Sequence, residues 1–112
     1  MEFFNPKIKR ARQLFERARA LEGDGQEDEA LVIYKKSIAL NPRRSAVWYN
    51  IGLIYKYRQE WQASLEYNQR AFELDPDDEA ACWNLAIAAT ALARWDIARA
   101  CWLAQGMTLE GE

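Results

Sequence analysis

Apolar residues recur at three- and four-residue steps along most of the chain, as in Ile51, Ile54 and Tyr55 and again in Leu65 and Phe72. A helix turns once every 3.6 residues, so this spacing gathers such positions on one face and predicts amphipathic helices. Three breaker-rich stretches interrupt the pattern: EGDGQ at 22–26, YRQEW at 57–61 and LARWD at 92–96. Pro42 and Pro76 punctuate it again, each closing a similar run, SIALNP at 37–42 and AFELDP at 71–76. Proline lacks the amide a helix interior needs, so each should stop one segment and start the next. FFNP at 3–6 echoes this, with Asn5 placed as an N-cap and Pro6 in the first turn.

Pro42 and Pro76 lie 34 residues apart, as do Asn41 and Asp75, and Leu40 and Leu74. The same shift aligns Trp48, Ile51, Gly52 and Tyr55 with Cys82, Leu85, Ala86 and Ala89 downstream, and with Leu14, Arg17, Ala18 and Leu21 upstream. It also aligns Ala30 with Ser64 and Ala98, and Tyr34 with Asn68 and Trp102. A fixed period of this size marks a repeat array. The expectation is one all-α domain over residues 1–112, built as three tandem antiparallel helix hairpins at 11–44, 45–78 and 79–112, after an N-terminal extension at 1–10.

Residue size along the columns supports the alignment. Ala18, Gly52 and Ala86 form a small column in the first helices, and Ala30, Ser64 and Ala98 one in the second, as close helix approach requires. The Leu14/Trp48/Cys82 column is expected to face Tyr34/Asn68/Trp102, because Trp48 would then oppose the smaller Asn68 and Cys82 the larger Trp102, keeping the volume constant. The ends depart from the pattern as terminal repeats do. Arg17 takes the place of Ile51 and Leu85, and Arg99 that of Leu31 and Leu65. Gly106 replaces Ile38 and Phe72, so the last helix should end there and the tail beyond it should fray.

Composition narrows the chemistry. With 50% hydrophobic and 29% charged residues and a net charge of −2, the chain reads as ordinary globular protein with no global affinity for nucleic acid or an anionic membrane. The longest charge-free stretch, 80–93, is too short to span a bilayer. No secretion signal opens the chain, which points to the cytoplasm. The absence of histidine removes the commonest general base and metal ligand, and no phosphate-binding glycine loop appears. No catalytic residue, metal site or cofactor is expected. Cys82 and Cys101, on the two helices of the third hairpin among Ala, Trp and Leu, read as buried, inert thiols. The basic residues Lys7, Lys9, Arg10, Arg12, Arg17 and Arg19 flank an apolar face of the first helix and read as its solvated side.

Trp48-x-x-Ile51-Gly52-x-x-Tyr55, followed by Ser64, Ala71 and Pro76, resembles the tetratricopeptide repeat; residues 45–78 fit best and the flanking units more loosely. The resemblance implies a right-handed superhelical solenoid whose concave groove binds peptide segments of partner proteins. In that family the first helix of each pair lines the groove. Mapped here, the groove would present Arg12, Phe15 and Arg19, then Tyr49, Asn50, Leu53, Lys56 and Tyr57, then Ala80, Trp83, Asn84, Ile87 and Ala91. Phe15, Tyr49 and Trp83 would form an aromatic row on its floor, with Arg19 and Lys56 as a cationic edge. Some members grip the C-terminal carboxylate of heat-shock chaperones with paired Lys, Asn and Arg side chains. The corresponding places hold Phe15, Arg19, Ala80 and Asn84, with only Asn50 matching, so that grip is not expected.

From Ala80 to Leu109 only Arg94, Asp96 and Arg99 are charged, and the outward pair Lys35–Lys36 becomes Leu103–Ala104 in the third unit. A helix apolar nearly all round is normally covered. Trp102, Leu103, Met107 and Leu109 are therefore a candidate association face, for a second copy or for a domain of a larger parent, whether enzymatic or not. The reading is a non-catalytic protein–protein interaction module with a peptide or protein partner; self-association or docking through the C-terminal third is the alternative.

Overall fold

A computed structural model describes residues 5–106. Among these residues six helices follow one another: α1 (Pro6–Gly23), α2 (Glu27–Leu40), α3 (Ser45–Tyr57), α4 (Trp61–Leu74), α5 (Glu79–Ala91) and α6 (Trp95–Ala104). No β-strand occurs among the described residues. Asn5 caps α1 by accepting from the amides of Lys7 (2.9 Å) and Ile8 (3.3 Å). Residues 6–10 are helical and continuous with α1. Asp78 caps α5 by accepting from the Ala81 amide at 3.1 Å.

The three turns inside the hairpins repeat with the same 34-residue period. The amide of Gln26 donates to the Leu21 carbonyl, that of Glu60 to Tyr55, and that of Arg94 to Ala89. One residue earlier, Gly25, Gln59 and Ala93 all hold positive φ, at 79°, 59° and 56°. This is the Schellman arrangement, in which a left-handed residue turns the chain out of the helix while its neighbours satisfy the last carbonyls. Only the first turn uses glycine, the residue that adopts this conformation without steric cost. Gly106, at φ 78°, ends α6 the same way, so the last helix stops where the sequence placed its end.

Two apolar clusters make the core. One joins α1, α2 and α3 through residues including Phe15, Tyr34 and Ile51; the other joins α4, α5 and α6 through Leu65, Cys82, Leu85 and Cys101. Between them Trp48, Tyr67 and Tyr55 stack in sequence with ring centroids 5.6 Å apart. Lys35 of α2 donates to the Tyr55 hydroxyl at 2.7 Å and lies over the Tyr55 and Tyr67 rings. That hydrogen bond holds the Lys35 ammonium above its usual range. Arg58 reaches back from the α3–α4 turn to Glu27 and Asp28 at the start of α2, a further tie between the first two hairpins. The molecule measures 52 × 36 × 18 Å, and its radius of gyration of 15.4 Å exceeds the roughly 13 Å of a compact domain this size, as stacked hairpins require.

The column pairing differs from the sequence expectation. Trp48 packs on Tyr67, and the Cys82 thiol donates to the Cys101 carbonyl at 3.3 Å. The 14/48/82 column therefore faces 33/67/101, one residue earlier than expected. Large side chains meet large ones there and small meet small. The 34/68/102 column lies instead against the small column 18/52/86: a Cβ on Gly52 would sit 2.6 Å from Asn68 Nδ2, and Trp102 lines a cleft with Ala86. Volume is compensated across this second pairing, where Gly52 or Ala86 makes room for a larger partner.

Candidate functional site

α3 and α5 approach one another directly, whereas α4 and α6 come nowhere comparably close among the described residues. The first helices of the second and third hairpins thus lie on the inner side of the curve, and α1 joins their face through the cleft that its Arg19 lines together with Asn50 of α3. Arg12, Ala46 and Ala80 are equivalent positions on that face, as are Phe15, Tyr49 and Trp83; Arg19, Leu53 and Ile87; and Glu22, Lys56 and Thr90. Along the groove the surface passes from charged on α1, through mixed on α3, to uncharged on α5.

The aromatic row is only partly exposed. Phe15 is 5% exposed: its ring packs 5.9 Å from Tyr34, and the guanidinium of Arg44, from the segment linking α2 to α3, covers it at 4.3 Å. It is therefore a core residue and not part of the groove floor. Tyr49 is half-buried, and Trp83 is 45% exposed. Asn84 is likewise buried, because it turns toward α3 and accepts from Lys56 Nζ at 3.1 Å. Asn50 and Leu53 are half-buried, while Tyr57 and Ile87 are open to solvent. Lys56 Nζ also lies 5.2 Å from the centre of the Tyr57 ring.

Two clefts open on this face. The first is polar and is lined by Arg19, Glu22, Gly23, Tyr34 and Asn50. In it the Tyr34 hydroxyl donates to Glu22 Oε1 at 2.6 Å and accepts from Asn50 Nδ2 at 3.4 Å, which links α1, α2 and α3. Burial, together with the Glu22 carboxylate, holds the Tyr34 phenol well above its ordinary range. Arg19 pairs with Glu16 at 3.8 Å, one turn away on the same exposed face. The second cleft, of 220 Å³, is apolar and is lined by Trp83, Ala86, Ile87, Thr90 and Trp102.

Trp102 therefore sits elsewhere than the association face drawn from the sequence. It is half-buried on the groove side, because Ala86 opposite it leaves space for the indole. The clue was present in the small column 18/52/86, which had been paired with another column. Leu103 is 46% exposed on α6; Met107 and Leu109 lie outside the described residues. Thr90 and Glu22, one turn beyond the residues singled out from the sequence, complete the two clefts.

The two thiols are buried side by side. Burial, with Cys82 beside it, pushes the Cys101 thiol up to about 12, the opposite of what a reactive cysteine requires. No cluster of metal-ligating side chains occurs among the described residues. No helix there is long and apolar enough to cross a membrane.

Comparison with known proteins agrees with this architecture. Family profiles for the tetratricopeptide repeat match residues 11–44 and 45–78. Human tetratricopeptide repeat protein 6 is 32% identical over 68 residues, which are 61% of this chain and only 13% of that protein. Among solved structures, the second such domain of Spaghetti (RPAP3), bound to the HSP90 peptide SRMEEVD, superposes with a TM-score of 0.77 at 18% identity, covering 87% of this chain and 84% of that one. The Arabidopsis OM64 domain gives 0.75 at 17% identity, covering 91% and 88%. The N-terminal domain of stress-induced protein-1 from C. elegans gives 0.76 at 16%, covering 88% and 84%. With six helices in three pairs among the described residues, a 34-residue period that recurs even in its turns, and two profile matches in register, the chain belongs to the tetratricopeptide repeat family and folds as its superhelical solenoid.

Proposed function

We propose that the chain is one three-repeat, non-catalytic interaction domain that binds a peptide segment of a partner protein along the face of α1, α3 and α5. The observation that carries this reading is the exposed pair Trp83 and Ile87 beside half-buried Tyr49 and Leu53, a concave apolar surface inside an array with few exposed aromatics elsewhere on its inner side. Concave apolar patches of this kind mark binding sites. The RPAP3 domain, bound to a chaperone peptide, supports the same use of the fold. The chaperone-tail grip itself is not part of the proposal, since Phe15 is buried and Asn84 is engaged by Lys56. Affinity capture from the native host with the parent chain and with a Tyr49→Ala/Trp83→Ala variant tests the reading. A partner held by the parent and lost by the variant, with both melting alike by circular dichroism, is expected. A partner held equally by both would place the binding surface elsewhere.

Exposed Leu103 and Trp95 on α6 favour a second reading, in which this end of the array self-associates or docks on another domain of a larger protein. Sedimentation of the parent over a hundredfold concentration range separates the two, since groove binding alone leaves the chain monomeric.

A further inference from the structure

The exposed residues of α5 are Glu79 at its N-terminal end and then Ala80, Trp83, Ile87, Thr90 and Ala91, so past the first residue the helix shows no charge. It opens on the Trp83–Ala86–Ile87–Thr90–Trp102 cleft, whose volume suits a single large side chain. Lys56 reaches across from α3 to Asn84, which stands between Trp83 and Ile87 of that cleft along α5. Its ammonium is held at 3.1 Å by the neutral Asn84 amide and makes no ion pair among the described residues. By contrast, Arg19, Arg58, Arg70 and Arg94 all have carboxylates within 4 Å. An oriented, half-buried cation without a counter-ion beside an apolar cleft is complementary to a carboxylate beside an apolar side chain. At about 3.3 Å per residue, an extended segment spans one helical turn in two residues, so both groups can come from one short stretch.

Resting on the groove reading above, we propose that this half of the groove receives an internal acidic stretch of a partner protein that carries a bulky aliphatic or aromatic side chain. The side chain enters the cleft between Trp83 and Trp102, and a neighbouring Glu or Asp meets Lys56. The recognition is by side chains and not by a chain terminus, because the places that would hold a terminal carboxylate contain the buried Phe15, the methyl of Ala80 and the occupied Asn84. Trp102 gives the subsite its shape. Its equivalents are Asn68, packed against Gly52, and Tyr34, hydrogen-bonded to Glu22, and neither leaves an apolar cleft.

Selection from a displayed random-peptide library, each peptide flanked on both sides so that no terminus is free, tests this on the parent, Lys56→Glu, Ile87→Glu and Tyr49→Ala/Trp83→Ala proteins. All four are first checked for equal thermal melts. The parent should enrich peptides that combine Glu or Asp with Leu, Met, Phe or Trp one to three residues away. Ile87→Glu should weaken those peptides at least tenfold, and Lys56→Glu should replace the acidic preference with a basic one. Enriched peptides that lack this signature, or whose charge preference survives Lys56→Glu, but that are lost with Tyr49→Ala/Trp83→Ala, would overturn the subsite and leave the groove reading standing. Peptides indifferent to every groove variant, or no enrichment at all, would overturn both.

Discussion

Gly52 and Asn68 should be strongly coupled. A Cβ on Gly52 would lie 2.6 Å from Asn68 Nδ2, 2.8 Å from its Cγ and 3.0 Å from its Oδ1. That amide cannot move freely. Its Nδ2 donates to the Ser64 carbonyl at 2.9 Å and to Ser64 Oγ at 3.2 Å, while Ser64 Oγ donates to the Gly52 carbonyl at 3.1 Å. Gly52→Ala alone gains about 1 kcal/mol of helix propensity. Against this stand about 1–3 kcal/mol of overpacking and a further 1–3 kcal/mol as the buried amide loses its partners. The single substitution should therefore destabilise by about 3 kcal/mol, the middle of the range these opposing effects allow, and Gly52→Leu by more.

Asn68→Ala should be nearly neutral. It leaves a small cavity, costing about 1 kcal/mol, but removes Oδ1, which is buried without a partner among the described residues. In the double variant the new methyl enters the space the amide vacated, and both helices gain propensity. Its stability should equal or exceed the parent's, a coupling of about 3 kcal/mol in the cycle. Urea denaturation of the four proteins, followed by helical circular dichroism, measures it. Additivity within about 0.5 kcal/mol, or a Gly52→Ala protein as stable as the parent, would show that the two columns do not meet as described.

Ala93 holds the left-handed turn position that Gly25 fills in the first repeat; Ala93→Gly should stabilise by about 1 kcal/mol and Gly25→Ala destabilise by as much, read as opposite shifts in melting temperature. The Cys101 thiol, raised from its ordinary 9.0 to about 12, keeps its proton in the folded chain while the unfolded chain loses it. Stability should therefore be full below pH 9 and fall by about 1 kcal/mol per pH unit just above it, before the raised Tyr34 phenol adds to the loss beyond pH 10, and Cys101→Ala should flatten the slope in urea titrations run from pH 8 to 10. Both thiols should resist a disulfide-exchange reagent until the chain unfolds; rapid labelling in native buffer would contradict their burial. If α6 drives self-association, Leu103→Lys should shift sedimentation toward monomer, and a parent that is already monomeric at high concentration would remove that reading.

Much of the fold was legible because it is periodic. The apolar spacing located the helices, the breakers located all three hairpin turns, and Gly106 marked the end of α6. The turns at Gln59 and Ala93 carry no glycine, yet their positions follow from Gly25 by adding 34 twice. The groove was legible as a list of helix positions and less so as a surface. Phe15 was misplaced because its cover comes from outside the helix pattern: Arg44 lies in the link between α2 and α3 and folds its guanidinium back over the ring. No periodicity in α1 announces that contact.

The column pairing failed for a more general reason. A repeat period states which residues are equivalent, but it does not state which columns touch. Any fixed offset between the two helices of a hairpin satisfies a 34-residue repeat equally well, so facing 14/48/82 with 34/68/102 or with 33/67/101 is the same to the alignment. The offset is set by the hairpin turn and by how closely the helices approach, and that approach depends on where the smallest residues meet. Ser64 donating to the Gly52 carbonyl fixes it in the second repeat. With that contact in place Trp48 falls on Tyr67 and Asn68 turns to Gly52, and the third hairpin keeps the same offset, with Cys82 on Cys101 and Trp102 beside Ala86. The same one-residue rotation that the sequence left open puts Trp102 beside Ala86 in the cleft on the groove side.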